Sequence, residues 1–123
     1  MKRIALMLSV VAVVAGLLTG CGESKPQEPN PFVKSRVAYL SDVGEISRVE
    51  ILGRDIYLSF KGDKLPGDYK IVCNAAAVNG SEALVKHGET VTGCAAWIIP
   101  EAAEAGDVSR IFYSASARRG KLK

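Results

Sequence analysis

The stretch SRVEILGRDIYLSF, residues 47–60, constrains the fold more than any other part of the chain. Apolar residues alternate at Val49 and Ile51, then at Ile56, Leu58 and Phe60, with Gly53 and Arg54 between the arms. A period of two marks a strand with one buried face. Glycine at the first central position suits a two-residue type II′ turn, whose twist matches that of paired strands. One register satisfies both signals. It sets Ile51 opposite Ile56, Val49 opposite Leu58 and Ser47 opposite Phe60 on one face. Glu50–Tyr57 and Arg48–Ser59 fall on the other. A slip of one residue would turn every apolar side chain to the wrong face, so the register is strongly specified.

The flanking segments are short and punctuated. Upstream, SRVAYL can add a strand near 35–41 and SDVG turns the chain. Downstream, KGDKLPGD (61–68) is a turn-rich loop. YKIVCNAAAV (69–78) reads as a buried strand, although its alanines also suit a helix, and Asn79, Gly80 and Ser81 interrupt it. EALVKHG (82–88) suits a short helix: Asn79 and Glu82 have capping-box spacing, and Gly88 suits a C-terminal cap. TVTGCAAWII (90–99) reads as a strand ended by Pro100. PEAAEAG (100–106) fits one or two helical turns, with Pro at the start and Gly past the end. DVSRIFYSASAR (107–118) reads as a last strand. The fold class expected is mainly β: a small antiparallel sandwich or barrel of five or six strands with one or two short helices. An α+β fold is the alternative.

The front of the chain has a different character. Lys2 and Arg3 precede an uncharged run from Ile4 to Leu18, and then Leu18, Thr19, Gly20 and Cys21 follow. The run is short for a membrane span, which needs about 20 apolar residues. Cations, an apolar stretch and small residues are the three regions of a secretory signal peptide. Leu18–Thr19–Gly20–Cys21 resembles the lipobox of bacterial lipoproteins, an aliphatic residue and two small residues before a cysteine. The resemblance covers residues 1–21 only. It implies a signal peptide over 1–20, cleavage before Cys21, and a diacylglyceryl group on the Cys21 sulfur, often with acylation of the new amine. That covalent lipid is the only prosthetic group expected; no cofactor or metal is. Two or three acyl chains hold a protein at a bilayer where one holds it marginally. Gly22 differs from the Asp that retains such proteins in the inner membrane of enteric-like bacteria, which implies the outer membrane, facing the periplasm.

Given that lipidation, Cys73 and Cys94 remain as a pair in an oxidising compartment, and a disulfide between them is expected. Closing so long a loop stabilises a fold by about 3 kcal/mol in the chain-entropy view. The support would matter, because the single extracytoplasmic domain expected over 32–118 is small for a core alone. Residues 22–31, GESKPQEPNP, hold three prolines and no large apolar residue, which suits a flexible tether from Cys21 to residue 31.

Charge narrows the partners. The chain has 16 Lys and Arg against 13 Asp and Glu; without Lys2 and Arg3 the balance is 14 to 13. Four cations lie in the final RRGKLK. No basic stripe interleaved with aromatics appears, so nucleic acid is not an expected partner. Residues 119–123 read as a solubilising basic tail, or as a contact for an anionic surface.

No catalytic residue is expected. His87 is the only histidine and lacks an adjacent nucleophile motif; a solvated place near a helix end is its default. Asp55, Asp63 and Asp68 flank turns, where aspartate bonds backbone amides. Glu101 and Glu104 lie three apart, as on a solvated helical face. Trp97 reads as core. Tyr39, Tyr57, Tyr69 and Tyr113 are candidates for a recognition patch, with Tyr57 on the polar side of the hairpin. The function these features imply is a non-enzymatic, lipid-anchored cell-envelope protein whose domain binds a protein or an envelope polymer. An inhibitor or exclusion factor acting on an incoming enzyme, phage or plasmid system is the alternative, with GDKLPGD as its protruding loop. A small hydrolase, with His87 near a serine and a carboxylate in a pocket, is the third reading.

Overall fold

A computed structural model describes residues 28–123. The expected signal peptide over 1–20, the expected lipidation site Cys21 and residues 22–27 of the expected tether lie outside the described residues. The hairpin forms in the expected register. β1 (Ile46–Leu52) pairs antiparallel with β2 (Asp55–Phe60), with Ile51 opposite Ile56, Val49 opposite Leu58 and Glu50 opposite Tyr57. Gly53 takes φ 61° while Arg54 keeps a negative φ, the type II′ pattern. One detail departs from expectation. Phe60 pairs with Ile46 and not with Ser47, through a bulge between Ile46 and Arg48. The bulge puts Ile46 into the core and leaves Ser47 exposed, with its hydroxyl donating to the Ser59 carbonyl at 3.2 Å.

Ahead of β1 the chain is helical, not extended. α1 (Pro31–Arg36) is followed by a 3-10 turn, Ala38–Asp42. The Asn30 side chain caps α1, accepting from the amides of Phe32 (2.9 Å) and Val33 (3.1 Å), and Pro31 supplies the preset φ of a first helical position. Val33, Val37 and Leu40 recur at helical spacing and all enter the core. The Asn30 amide bonds the Gly53 carbonyl at 2.8 Å, which ties the start of the domain to the hairpin turn.

The larger departure is α2 (Tyr69–Lys86), one continuous helix where a strand, a break and a short helix were expected. It buries Cys73, Ala76, Ala77, Gly80, Ser81 and Leu84, a stripe at i, i+3, i+4, i+7, i+8 and i+11. Most of these residues are small, so the helix settles low on the sheet. A Cβ added at Gly80 would overlap the Cys94 sulfur and lie 3.3 Å from the Ile56 Cδ1. The C-terminal end meets its expectation. Gly88 takes φ 72°, its amide bonds the Val85 carbonyl and the Glu89 amide bonds the Leu84 carbonyl, a Schellman cap.

α2 is the crossover that a parallel strand pair requires. β3 (Gly93–Ile98) lies parallel to β2, with Ile56 opposite Ala96. β4 (Tyr113–Arg118) pairs antiparallel with β3, and β5 (Lys121–Leu122) with β4. The five strands run in the order β1-β2-β3-β4-β5. Helices and 3-10 turn share one face of this mixed sheet, over Ile46, Ile51, Ile56, Leu58, Ala96 and Ile98. This is a small α+β fold, the alternative form of the fold class expected from sequence. The other face is partly roofed by residues 99–112, where Ile99 and Ala103 pack with Tyr57. Arg48 holds that roof: its Nη2 donates to Ser59 Oγ (2.9 Å), Pro100 O (3.3 Å) and Ala103 O (2.6 Å). PEAAEAG makes turns there and no helix.

The C-terminal residues are ordered into a hairpin, where composition alone read as a tail. Arg119 (φ 54°) and Gly120 (φ 78°) form a turn of the I′ kind between β4 and β5. Its docking point is Ser81, a fully buried serine whose Oγ accepts from the Gly120 amide at 2.7 Å and donates to the Val78 carbonyl at 3.1 Å. Ser81→Ala leaves the Gly120 amide without this acceptor, a loss of about 1 kcal/mol before alanine's better helix propensity offsets part of it. Amide exchange at Gly120 and Lys123 should accelerate while that of mid-α2 stays slow. Unchanged exchange at Gly120 would contradict this docking role.

Candidate functional site

Two concavities flank α1. The first, about 470 Å³, lies between α1 and β1. Val37, Val49, Ile51 and Leu52 give it an apolar lining, and Lys34 and Glu50 line it too. β1 is the first strand of the sheet order, so backbone groups of its outer edge have no strand partner among the described residues. Pro29 also lines this groove.

The second, about 710 Å³, lies between α1 and α2 and collects Phe32, Ser35, Arg36, Tyr39, Glu82, Lys86 and His87. It joins residues some 50 positions apart. The His87 ring stacks on Phe32 with centroids 4.0 Å apart and planes within 6°. Arg36 pairs with Glu82 at 3.3 Å and donates to Asn79 Oδ1 at 2.9 Å; Asn79 in turn donates to the Tyr39 hydroxyl at 2.6 Å. A histidine, a serine and a carboxylate therefore share one cleft. The carboxylate of Glu82 is held by Arg36 and the imidazole face by Phe32. Among the described residues no hydrogen bond links His87 to Ser35 or to Glu82, the contacts that nucleophile activation uses.

The remaining predicted residues are dispersed. Trp97 and Tyr57 stack on the roofed face of the sheet with centroids 5.0 Å apart and planes within 9°; Trp97 is half-buried. Tyr69 and Tyr113 meet edge-to-face beside Lys70, and the Tyr113 hydroxyl bonds Asn74 at 3.0 Å. The four tyrosines therefore fall in three separate places. Asp63 accepts from the Glu101 amide at 2.8 Å while Glu101 accepts from the Gly62 amide at 3.1 Å, a reciprocal clasp. It pins GDKLPGD against the body of the domain, and Leu65 packs on the core. Glu104 and Asp68 are exposed. Asp107 bonds the Ser109 hydroxyl and amide, which lowers its pKa. Exposed Val108, Ile111 and Phe112 were not singled out from sequence; the apolar run IFY looked like part of a strand.

Cys73 and Cys94 are free thiols in the structure, both buried. The Cys73 sulfur points to the Ala96 carbonyl at 3.4 Å and the Cys94 sulfur to the Arg54 carbonyl at 3.0 Å. Cys94 lies under Gly80, two helical turns beyond Cys73, or about 10 Å along α2. Among the described residues the structure shows no Cys73–Cys94 bond, and the bridge expected from sequence would need Cα atoms within about 7 Å. Burial pushes both thiols up to about 12, and Asp55 adds to the shift at Cys94. No family model, curated protein or solved structure matches this chain.

Burial of the two thiols and of Asp55 has consequences that can be measured in solution. Iodoacetamide without reductant should leave Cys73 and Cys94 unmodified in the folded protein and alkylate both in denaturant; a disulfide would leave both unmodified in denaturant as well. Asp55 is the second case. Burial raises its carboxyl above the ordinary 3.8, against the lowering pull of Arg54 and the Ala95 amide. The folded state then holds the proton more tightly than the unfolded state. This contribution to stability is full below pH 3.8 and lost as pH rises through the folded value. Asp55→Asn should therefore gain on the native protein in thermal melts at neutral pH relative to melts below pH 3.8. An equal difference at both would contradict the burial effect.

Proposed function

We propose that this chain is a lipid-anchored cell-envelope protein, non-enzymatic, whose small α+β domain binds a partner protein. The observation that carries the reading is the run of Leu18, Thr19, Gly20 and Cys21 after an uncharged segment and two cations. That order is what an export signal ending in a lipidation site requires. Acyl chains on Cys21 set location, facing the periplasm from the outer membrane where the host has one, and leave the domain in water.

The groove beside β1 supports the protein-binding part. A strand edge next to an apolar groove offers main-chain hydrogen bonds and side-chain pockets together, the chemistry of strand addition by an extended peptide. In the α1–α2 cleft, by contrast, Glu82 and His87 are engaged by Arg36 and Phe32, which favours a binding role over hydrolysis. An inhibitor or exclusion role draws on another surface. The pinned GDKLPGD loop is a poor probe for a target, whereas residues 106–112 expose Val108, Ile111 and Phe112.

Protein from the native host should incorporate labelled palmitate, and Cys21→Ser should not; labelling that persists in Cys21→Ser overturns the anchor. Affinity capture from envelope extracts should enrich a partner. Ala38→Arg, at an exposed position lining the β1 groove, should lose that partner without changing the thermal melt. Retention of the partner by this variant would move the binding site elsewhere.

A further inference from the structure

The topology gathers an excess of positive charge at one end of the sheet. β2 and β3 are parallel and both begin at this end; β1 and β4, antiparallel to them, finish there. The Gly53–Arg54 turn, the Gly93–Arg118 pair and the β4–β5 turn therefore lie along a common margin. α2 runs back to the start of β3, so its last residue Lys86 also lies here. The cations at this end are Arg54, Lys86, Arg118, Arg119, Lys121 and Lys123; the nearby acids are Glu28, Asp55, Glu82 and Glu89. Of these acids, Glu82 is already paired with Arg36 and Asp55 is half-buried. Arg118, Arg119 and Lys123 line a concavity of about 490 Å³ with Thr90 and Thr92. The opposite end carries Asp42, Glu45, Asp63, Asp68 and Glu101, against Lys61, Lys64 and Lys70.

Two further observations say what this basic end meets. The cations are held by folded backbone: β5 pairs with β4, and Ser81 fixes the Gly120 amide. The start of the described chain is at the same end, through the bond from the Asn30 amide to the Gly53 carbonyl. Eight residues, 22–29, lie between Cys21 and Asn30, so nine Cα–Cα steps give a reach of at most about 30 Å. If Cys21 carries lipid, as proposed above, the bilayer surface is within reach of this end first. Cations close to an anionic leaflet each contribute binding that fades within a Debye length.

We propose that the end of the sheet bearing Arg54, Arg118, Arg119, Lys121 and Lys123 docks on anionic lipid headgroups. The domain then stands basic end down on the membrane that holds its anchor, with the acidic end and the Asp63–Glu101 clasp pointing away.

Lysine acetylation of the native protein in vesicles tests this residue by residue. Vesicles of phosphatidylcholine alone are compared with vesicles containing phosphatidylglycerol. In anionic vesicles at low salt, Lys86, Lys121 and Lys123 should react about tenfold more slowly than in neutral ones, and high salt should remove the protection. Lys61, Lys64 and Lys70 serve as internal controls and should react equally in both. R118Q/R119Q should lose most of the protection at Lys121 while keeping the native circular dichroism and melt. Equal rates in both vesicles, uniform slowing of every lysine, or protection that persists in neutral vesicles would overturn the docking face. The last outcome would assign it to contact between copies. A missing acyl group on Cys21 would show separately, as absence of palmitate, since any other attachment to the vesicle leaves this readout intact.

Discussion

The structure depends on how closely α2 approaches the sheet at Gly80. There the helix backbone lies over Cys94 and Ile56 with no room for a Cβ. Ala76, Ala77 and Ser81 continue the same low-profile stripe. This closeness lets the crossover helix cover the sheet while β3 lies alongside β2 in parallel. It also puts Ser81 within reach of the β4–β5 turn and Glu82 within reach of Arg36. A bulky residue at the contact would lift the helix and open all three. The two core thiols belong to the same arrangement, as compact apolar groups that fill space beneath the helix and donate weak S–H hydrogen bonds to backbone carbonyls.

Sequence reasoning read the parts governed by local rules. The first hairpin was legible because turn chemistry and alternation agree on one register. Gly88 was legible as a helix end, and β3 as a strand before Pro100. α2 was not, because hydropathy points the wrong way along it. Ile71 is 68% exposed and Val85 43%, while Gly80 and Ser81 are buried. A stripe defined by small size does not register as an apolar face, and Asn79–Gly80–Ser81 mimics a loop. The same holds at the C-terminus, where four cations suggested disorder and the Arg119–Gly120 turn governed instead. The strand expected near 35–41 lost to the Asn30 cap, which is visible only once Asn30–Pro31 is read as the start of a helix and not the end of a tether.

Of the site, single residues were legible but their grouping was not. Phe32 and His87 stack across 55 positions of sequence, and no local pattern encodes that. The basic end is also a product of topology. Arg54, Lys86 and Arg118 share a margin only because β2 and β3 are parallel. The proposed roles fall on separate surfaces, membrane docking on the basic end and partner binding on the groove beside β1, with the acidic end facing away from the first. Each follows from where the crossover helix places the strands.

The helix–sheet contact is tested most directly by a double-mutant cycle between Gly80→Ala and Cys94→Ala in chemical denaturation. At an unconstrained helical site Gly→Ala gains up to about 1 kcal/mol. Here Gly80→Ala should instead destabilise by about 1–3 kcal/mol through overpacking. In the Cys94→Ala background, where the obstructing sulfur is gone, most of that cost should disappear. Stabilisation by Gly80→Ala in the native background, or strict additivity of the two changes, would contradict the close approach on which the fold rests.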